Sequence, residues 1–500
     1  MRFFVEKIII DIKNMENRST FGSKFGAIAA IAGSAVGLGN IWKFPYVAGE
    51  NGGAAFLLIY IGITLLISIP VLLAEFAIGR RGQSNAFRSF LNVLPKKKGW
   101  AAIGILELIG AMFILSFYCV IAGWSLEYIW QSATGGFQGM TQVQMDDRFN
   151  NFVACGWRPI AWMVVFLVMN ACVLGMGVTK GIERCSKFMI PALFCILVML
   201  AGVNLWQPGF AEGAAFILTP DWSAVTGQTI IKALGQSFFS LSIGMAAMIT
   251  YGSYIQRQES LVSVSVIVSL ATVLMAVLAG LAIFPSVFTY HVPVASGPDL
   301  VFKTLPPLFA ELPGGYVISI LFFVLLFFAA LTTSLSIMES LVSFFTEELH
   351  IKRVGALGIG FALILVCSTL CALSQMPDSS ITVGGMSLFD WTDTFSSNWI
   401  LPIAGLGCVV MMGWFVPKAE VEHELTSSGK TSLWIFKFVL FMMRFVCPVV
   451  ILFMFMTGLG WISIKDTKPQ AEPVPVEETV VTDSMAEAST EVPLDTIVMQ

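Results

Sequence analysis

Long apolar segments alternate with short polar loops over most of the chain. Each segment is long enough to cross a hydrocarbon layer of about 30 Å, which takes about 20 helical residues. We therefore predict an all-α polytopic membrane protein with about 11 transmembrane helices. The spans are placed at residues 21–47, 53–78, 99–131, 159–177, 185–206, 227–255, 261–289, 315–347, 354–374, 390–416 and 432–464.

The composition favours the same class, because 56% of the residues are hydrophobic and only 12% are charged. A soluble domain does not need so much apolar surface. The nine cysteines lie almost all within or beside the spans and show neither a disulfide framework nor metal-ligand spacing. No nucleophile–base pair stands out, so we expect no enzyme. Transport, channel and receptor functions remain.

Lysine and arginine are concentrated in alternate loops, such as residues 80–81 and 96–98. Positive loops face the cytoplasm, which predicts a cytoplasmic N-terminus. We divide the chain into a cytoplasmic N-terminal segment, 1–20, a transmembrane domain, 21–465, and a disordered acidic tail, 466–500.

The first span contains an unusual stretch from Gly33 to Tyr46, with Gly37, Gly39 and Pro45 inside it. Each glycine costs a helix about 1 kcal/mol. A broken helix at membrane depth is tolerated where it is packed in protein or lines a cavity, and its freed carbonyls then suit a cation. The alternative is a glycine-rich packing face with a kink at Pro45. Both interpretations stand at this point.

Other spans carry polar interruptions too. The sixth contains small and polar residues at 240–247, the eighth has a hydroxyl cluster at 329–334, and the third holds Tyr118 among apolar residues. A single hydroxyl cluster is explained by bonding to the preceding helical turn. Broken segments at matching positions of two halves instead indicate an inverted-repeat transporter with a site near the membrane midplane.

At these residues the chain resembles the neurotransmitter:sodium symporters, and within them the bacterial amino-acid branch. The resemblance runs from about Arg18 to the end of the tenth span. It implies a LeuT-type 5+5 inverted repeat with broken first and sixth helices: repeats at about 21–206 and 227–416, and an additional helix at about 432–464. The motifs are Gly37-Leu38-Gly39-Asn40-Ile41-Trp42-Lys43-Phe44-Pro45-Tyr46, Glu50-Asn51-Gly52-Gly53, Glu75-Phe76-Ala77-Ile78-Gly79-Arg80 and Gln236-Ser237-Phe238-Phe239-Ser240-Leu241-Ser242.

The resemblance implies two sodium sites. A substrate carboxylate that ligates the first sodium would couple the two bindings, because each ligand then favours the other. Thr272 departs from the asparagine or acid found in relatives, which puts the first site in question. The first site maps onto Ala35, Asn40, Ser240 and Thr272, and the second onto Gly33, Val36, Ala329, Thr332 and Thr333.

Chloride is a possible further ion. Tyr60, Gln236 and Ser240 match chloride ligands of the family, whereas Ala276 replaces the usual serine and also lacks the acid of some bacterial members. Chloride dependence is a hypothesis that uptake unaffected by replacing chloride with gluconate would contradict.

The resemblance also implies a substrate pocket. Gly37 stands where amine transporters carry aspartate, so the substrate should bring its own carboxylate. A charged substrate side chain would lie unpaired at a high cost, and Met245 adapts to bulky apolar groups. We expect a neutral, hydrophobic or aromatic amino acid. Phe239 would act as a lid, although an ordinary core role is the alternative. The pocket residues are Ala35, Gly37, Ile114, Tyr118, Phe239, Ser242, Met245, Thr333 and Ile337.

Two charge pairs match the family's gates. Lys43 and Asp393 would form the outer gate, and Arg18 and Glu347 the inner one. Pairs that form in one state and break in another suit alternating access. Lys43 replaces the commoner arginine and loses its bidentate geometry. Arg18 can also be an ordinary positive-inside charge. Glu75 is interpreted as a structural residue that satisfies freed backbone.

We therefore predict a sodium-coupled symporter that imports such an amino acid, multi-pass in a bacterial inner membrane. The expected partners are the amino acid, sodium ions and the lipid bilayer, with no nucleic acid. The alternatives are a transporter of another small zwitterion or amine, and a non-transporting amino-acid sensor on the same scaffold. The oligomeric state is left open.

Overall fold

A computed structural model describes residues 20–290, 301–311, 314–426 and 432–462. The predicted N-terminal segment (apart from its last residue), Arg18 and the predicted tail lie outside the described residues. The first and sixth membrane helices are each interrupted, and we call their parts α1a, α1b, α6a and α6b. The membrane helices are α1a (Lys24–Ala35), α1b (Gly39–Glu50), α2 (Ala54–Gly82), α3 (Lys98–Ala133), α4 (Trp157–Gly175), α5 (Val178–Trp206), α6a (Gly227–Ser240), α6b (Ala247–Gly252), α7 (Leu261–Thr289), α8 (Gly315–Glu348), α9 (Arg353–Ser374), α10 (Leu388–Phe415) and α11 (Leu433–Thr457).

These helices agree with the predicted spans. Within the described part of the chain, nine helices are long and apolar enough to cross a membrane, and α1a with α1b forms a tenth as a bent pair. The sixth predicted span corresponds to the two short pieces α6a and α6b. The predicted all-α architecture is confirmed.

Shorter elements connect the membrane helices. A two-stranded antiparallel hairpin, β1 (Thr382–Val383) with β2 (Met386–Ser387), precedes α10. The connecting helices are Ala86–Val93, Gln142–Ala154, Phe210–Leu218, Leu305–Glu311 and Lys418–Thr426, and a single turn lies at Trp222–Ala224.

The break in α1 falls at residues 36–38, and the two halves meet at 44°. Its backbone groups find partners outside the helix. The Leu38 N–H donates to the Tyr118 hydroxyl on α3 at 3.0 Å, and the Asn40 N–H donates to the Gly37 carbonyl at 3.1 Å. The glycine-rich stretch therefore forms an interruption, and protein groups pair the amides of Leu38 and Asn40 there, as membrane burial requires.

The break in α6 spans residues 241–246 and turns the chain through left-handed conformations. Ser242, Gly244 and Ala246 have φ angles of 53°, 77° and 60°. Left-handed residues with a Cβ are uncommon and stop a right-handed helix. Side chains of other helices hold this strained segment: the Gly244 N–H donates to Glu75 Oε1 of α2 at 2.8 Å.

Helix α2 also approaches the backbone of α6b through two glycines. A Cβ added to Gly79 would lie 1.9 Å from the Ile249 carbonyl oxygen, and one added to Gly252 would lie 2.7 Å from the Phe76 carbonyl oxygen. Small residues at such a contact let two membrane helices approach closely. Helix α2 thus fixes both the α6 break and the half-helix that follows it.

We predict that Gly79→Ala destabilises the protein strongly. The added methyl group meets backbone rather than a flexible side chain, so the helices must separate, and overpacking of this kind costs about 1–3 kcal/mol. The apparent melting temperature in detergent should fall clearly. Gly62→Ala, on the same helix with nothing within 4 Å of the added Cβ, is the matched control and should be neutral or slightly stabilising. Equal melting temperatures for the two variants would contradict the prediction.

Candidate substrate and ion site

A small buried cavity lies between the two helix breaks. The cavity has a volume of about 10 Å³, which is room for about one water molecule. It contains eight of the nine predicted pocket residues. Its lining consists of Ser34, Ala35, Gly37, Gly39, Ile114, Tyr118, Phe239, Ser240, Met245, Thr333 and Ile337.

Ser242 is the predicted pocket residue that does not line the cavity. Its hydroxyl donates to the Ser34 carbonyl at 2.9 Å and accepts from the Ser34 hydroxyl at 3.3 Å. The left-handed backbone at Ser242 turns this side chain toward α1a. Ser242 therefore joins the α6 break to the last turn of α1a, just before the α1 break.

Two hydroxyls of α8 complete this junction. Thr333 Oγ1 donates to the Ser34 carbonyl at 3.1 Å, and Ser336 Oγ donates to Ser34 Oγ at 2.6 Å. The predicted hydroxyl cluster of the eighth span thus bonds to another helix as well as to its own preceding turn. Ser34 and Ser336 were not among the predicted site residues, although Ser34 lies inside the glycine-rich stretch and Ser336 lies two residues beyond the cluster.

The polar part of the cavity is centred on Gly37. A Cβ at this position would lie 2.0 Å from Thr333 Oγ1 and 3.0 Å from the Tyr118 hydroxyl oxygen. Because the Tyr118 oxygen accepts the Leu38 N–H, its own hydrogen can be donated elsewhere. Two hydroxyls and a bare backbone therefore face the same point.

The residues predicted for the first sodium site are all buried. Asn40 Nδ2 donates to the Ala35 carbonyl at 3.1 Å, while Asn40 Oδ1 is buried without a hydrogen-bond partner among the described residues. Ser240 lines the cavity. Thr272 is fully buried, and its hydroxyl donates to the Val268 carbonyl at 2.9 Å, which leaves oxygen lone pairs to accept. Oxygen donors of this kind suit a hard cation.

The second predicted sodium site joins α1a to α8. Thr333 Oγ1 lies 3.3 Å from the Gly33 carbonyl, and Thr332 Oγ1 donates to the Ala329 carbonyl at 3.1 Å. A Cβ on Gly33 would lie 3.2 Å from the Thr332 Cβ, so the two helices are close here. Val36 is buried at the start of the break. The predicted oxygens therefore come from neighbouring segments of two helices.

The residues of the predicted outer gate are in contact. Lys43 Nζ lies 2.9 Å from Asp393 Oδ1 and 3.4 Å from Ser397 Oγ. The same nitrogen lies 4.5 Å above the centre of the Phe239 ring, which lines the cavity. The ion pair therefore lies directly beside an aromatic ring of the cavity lining.

Glu347, the acid of the predicted inner gate, accepts hydrogen bonds from Ser84 Oγ at 2.5 Å and from the Asn85 N–H at 2.7 Å. Its predicted partner Arg18 lies outside the described residues. The residues that precede α1a are held by Glu183 of α5, which accepts from the Gly22 N–H at 2.7 Å.

These features define a class: a multi-pass membrane transporter built around two broken helices. The sequence matches the model of the sodium:neurotransmitter symporter family over residues 18–155 and 140–485. The chain therefore belongs to this family, as its motifs predicted, and is a sodium-dependent transporter.

Individual relatives agree. The chain is 37% identical over 465 residues to an uncharacterized sodium-dependent transporter of Haemophilus influenzae, covering 89% of this chain and 99% of the relative. It is 35% identical over 443 residues to one of Bacillus subtilis, covering 89% and 98%. The crystal structure of MhsT in complex with L-phenylalanine matches with a TM-score of 0.82 and 38% identity, covering 88% of this chain and 100% of that one. The predicted LeuT-type fold is thereby confirmed.

We predict that Tyr118→Phe destabilises the protein even without substrate. The change removes the acceptor of the buried Leu38 N–H, and an unpaired buried donor costs about 1–3 kcal/mol. The apparent melting temperature in detergent should fall accordingly. Tyr316→Phe is the matched control, because the hydroxyl of Tyr316 bonds to the Ala133 carbonyl on an exposed residue. A fall no larger than that of the control would contradict the prediction.

Proposed function

We propose that this sodium-dependent transporter is a symporter that imports a neutral, hydrophobic or aromatic amino acid by alternating access. The observation that carries the proposal is the cavity between the two helix breaks. Hydroxyls of Tyr118 and Thr333 surround Gly37 in its lining, and the lining also includes apolar side chains, namely Ile114, Phe239, Met245 and Ile337. An amino acid likewise combines a charged backbone with a side chain.

The surroundings of Gly37 support a substrate with its own carboxylate. Gly37 offers no side chain, and the surrounding hydroxyls of Tyr118 and Thr333 leave no space for an added one. No charged residue lines the cavity in the described part of the chain. A monoamine would lack an acidic partner there, whereas a carboxylate can accept the Tyr118 hydrogen.

The apolar side chains of the lining support a neutral substrate side chain. A charged one would be buried without a partner at a high cost. Since the cavity has room for only about one water molecule, a bulky substrate side chain requires Phe239 and Met245 to move. Met245 is unbranched and adapts readily. The similar protein MhsT has been crystallised with L-phenylalanine, which supports the same substrate class.

Two sodium ions would bind beside the substrate. Asn40, Ala35, Ser240 and Thr272 would ligate the first together with the substrate carboxylate, and the unpartnered Asn40 oxygen supports this assignment. A shared ligand makes each binding event favour the other, which is a physical route to symport. The second ion would be bound between α1a and α8. Chloride use stays a hypothesis.

Alternating access would open one side while the other stays closed. The Lys43–Asp393 pair would be the outer gate, and Glu347 with Arg18 part of the inner one. We place the protein in the inner membrane with a cytoplasmic N-terminus, following the loop charges. The repeat boundaries and the two polar terminal segments are proposed as the sequence predicts them.

We predict that one or a few hydrophobic amino acids stabilise the purified protein in sodium and not in potassium. A ligand that binds only the native state raises stability by mass action. The apparent melting temperature should be measured against each of the twenty amino acids in both salts. No stabilisation in either salt would contradict an amino-acid substrate. Equal stabilisation in both would contradict sodium coupling.

We predict that Thr272→Val raises the sodium concentration needed for this stabilisation by about tenfold or more, since each 1.4 kcal/mol of lost binding is about tenfold. The change keeps the shape of the side chain and removes its oxygen. Thr272→Ser keeps the oxygen and is the matched control, which should titrate like the wild type. If the valine variant titrates like the serine variant, Thr272 is not a sodium ligand.

A further inference from the structure

Two buried acids lie behind the α6 break, outside the cavity lining. Glu75 of α2 and Glu107 of α3 are both 0% exposed. One carboxylate oxygen of each and the Cys408 sulfur of α10 all lie within 4.8 Å of one another. Neither acid belongs to the predicted substrate pocket or to the predicted sodium sites.

Each acid has one bonded and one unbonded oxygen. Glu75 Oε1 accepts the Gly244 N–H at 2.8 Å, and Glu107 Oε1 accepts the Cys408 thiol at 3.2 Å. The Oε2 atoms of both residues are buried and have no hydrogen-bond partner in the described part of the chain. These two unsatisfied oxygens indicate a bound ligand between the acids.

The charges of the pair are not balanced by a cation. Neither residue takes part in an ion pair among the described residues. The titratable group beside the two acids in this cluster is the Cys408 thiol of α10. The α6 break contributes the backbone N–H of Gly244. Two adjacent carboxylates in such surroundings do not both ionise readily.

We propose that Glu75 and Glu107 form a proton-binding site in which the two buried carboxyl groups hold one proton between them, and that this proton controls the geometry of the α6 break. When the proton is bound, one of the two residues is a neutral carboxylic acid and the other is a carboxylate. When the proton leaves to water, two negative carboxylates remain. The ligand is a proton rather than a metal ion. Two carboxylates and one thiol supply too few ligand atoms for a hard divalent cation, and the neighbouring backbone N–H donor would repel such a cation.

The site reaches the substrate pocket through the backbone. Glu75 holds Gly244, and the next residue, Met245, lines the cavity. Repulsion in the unprotonated pair would displace Glu75 from Gly244 and change the position of Met245. By linkage, proton binding and amino-acid binding then favour each other. This second half of the inference rests on the proposed function, whereas the proton site itself does not.

The first measurement uses the substrate-free protein. A folded state that holds a proton which the unfolded state releases becomes less stable as the pH rises. Glu107→Gln can donate to Glu75 permanently and releases no proton. We expect the melting temperature of the wild type to fall, relative to this variant, by at least about 2 °C between pH 6 and pH 9. Glu212→Gln, an exposed acid in the Phe210–Leu218 helix, is the matched control and should follow the wild type.

The second measurement uses an amino acid that stabilises the protein in sodium. Calorimetric titrations in buffers of different ionisation heat give both Kd and the protons taken up. We expect the wild-type Kd to rise at least about threefold from pH 6 to pH 8.5, with net proton uptake, and both effects to be absent in Glu107→Gln.

The outcomes separate the two proposals. A difference in melting temperature between wild type and Glu107→Gln that does not change with pH overturns the proton site. If that difference changes with pH but no amino acid binds at any pH, the proton site stands and the proposed function fails. If Glu107→Gln does not fold, the calorimetric titrations of the wild type decide. Zero proton uptake on amino-acid binding across the pH range then overturns the proposal.

Discussion

An unpaired backbone amide or carbonyl costs several kcal/mol where water is absent, and this chain interrupts two helices in that region. Each freed group therefore needs a partner from another element. Tyr118 of α3 accepts the amide of Leu38, and Glu75 of α2 accepts that of Gly244. The arrangement of the surrounding helices follows from this need, because each must present a polar atom at a fixed place.

The same partners make the centre of the protein one connected unit. Ser34 of α1a is bonded to Ser242 of the α6 break and to Thr333 and Ser336 of α8. Because these groups share hydrogen-bond acceptors, a change in the position of one of them alters the hydrogen bonds of the others. A site built in this way can respond to a ligand at one break by moving the other. That property suits a transporter whose ions and substrate must bind together.

Much of this was predictable from the sequence. The apolar spans follow from length and composition, and the motif around Gly37 and Asn40 identified the family. Most of the cavity residues, including Ile114, Phe239 and Ile337, were expected from that resemblance. The orientation of Ser242 was not, because a positive φ at a residue with a Cβ has no signal in its side chain. Glu107 was missed for a different reason: it is an isolated acid in a long apolar span, and its partner is 32 positions away.

The sequence by itself determined that the chain crosses a membrane, which helices are broken and which family chemistry to expect. These are local properties, since hydrophobic length, glycine content and motif spacing are written along the chain. The tertiary structure alone decided which polar atoms meet. Whether Lys43 reaches Asp393, or Glu75 lies beside Glu107, depends on how α1, α2, α3 and α10 pack against one another. Packing joins residues that are distant in sequence, so spacing along the chain does not specify it.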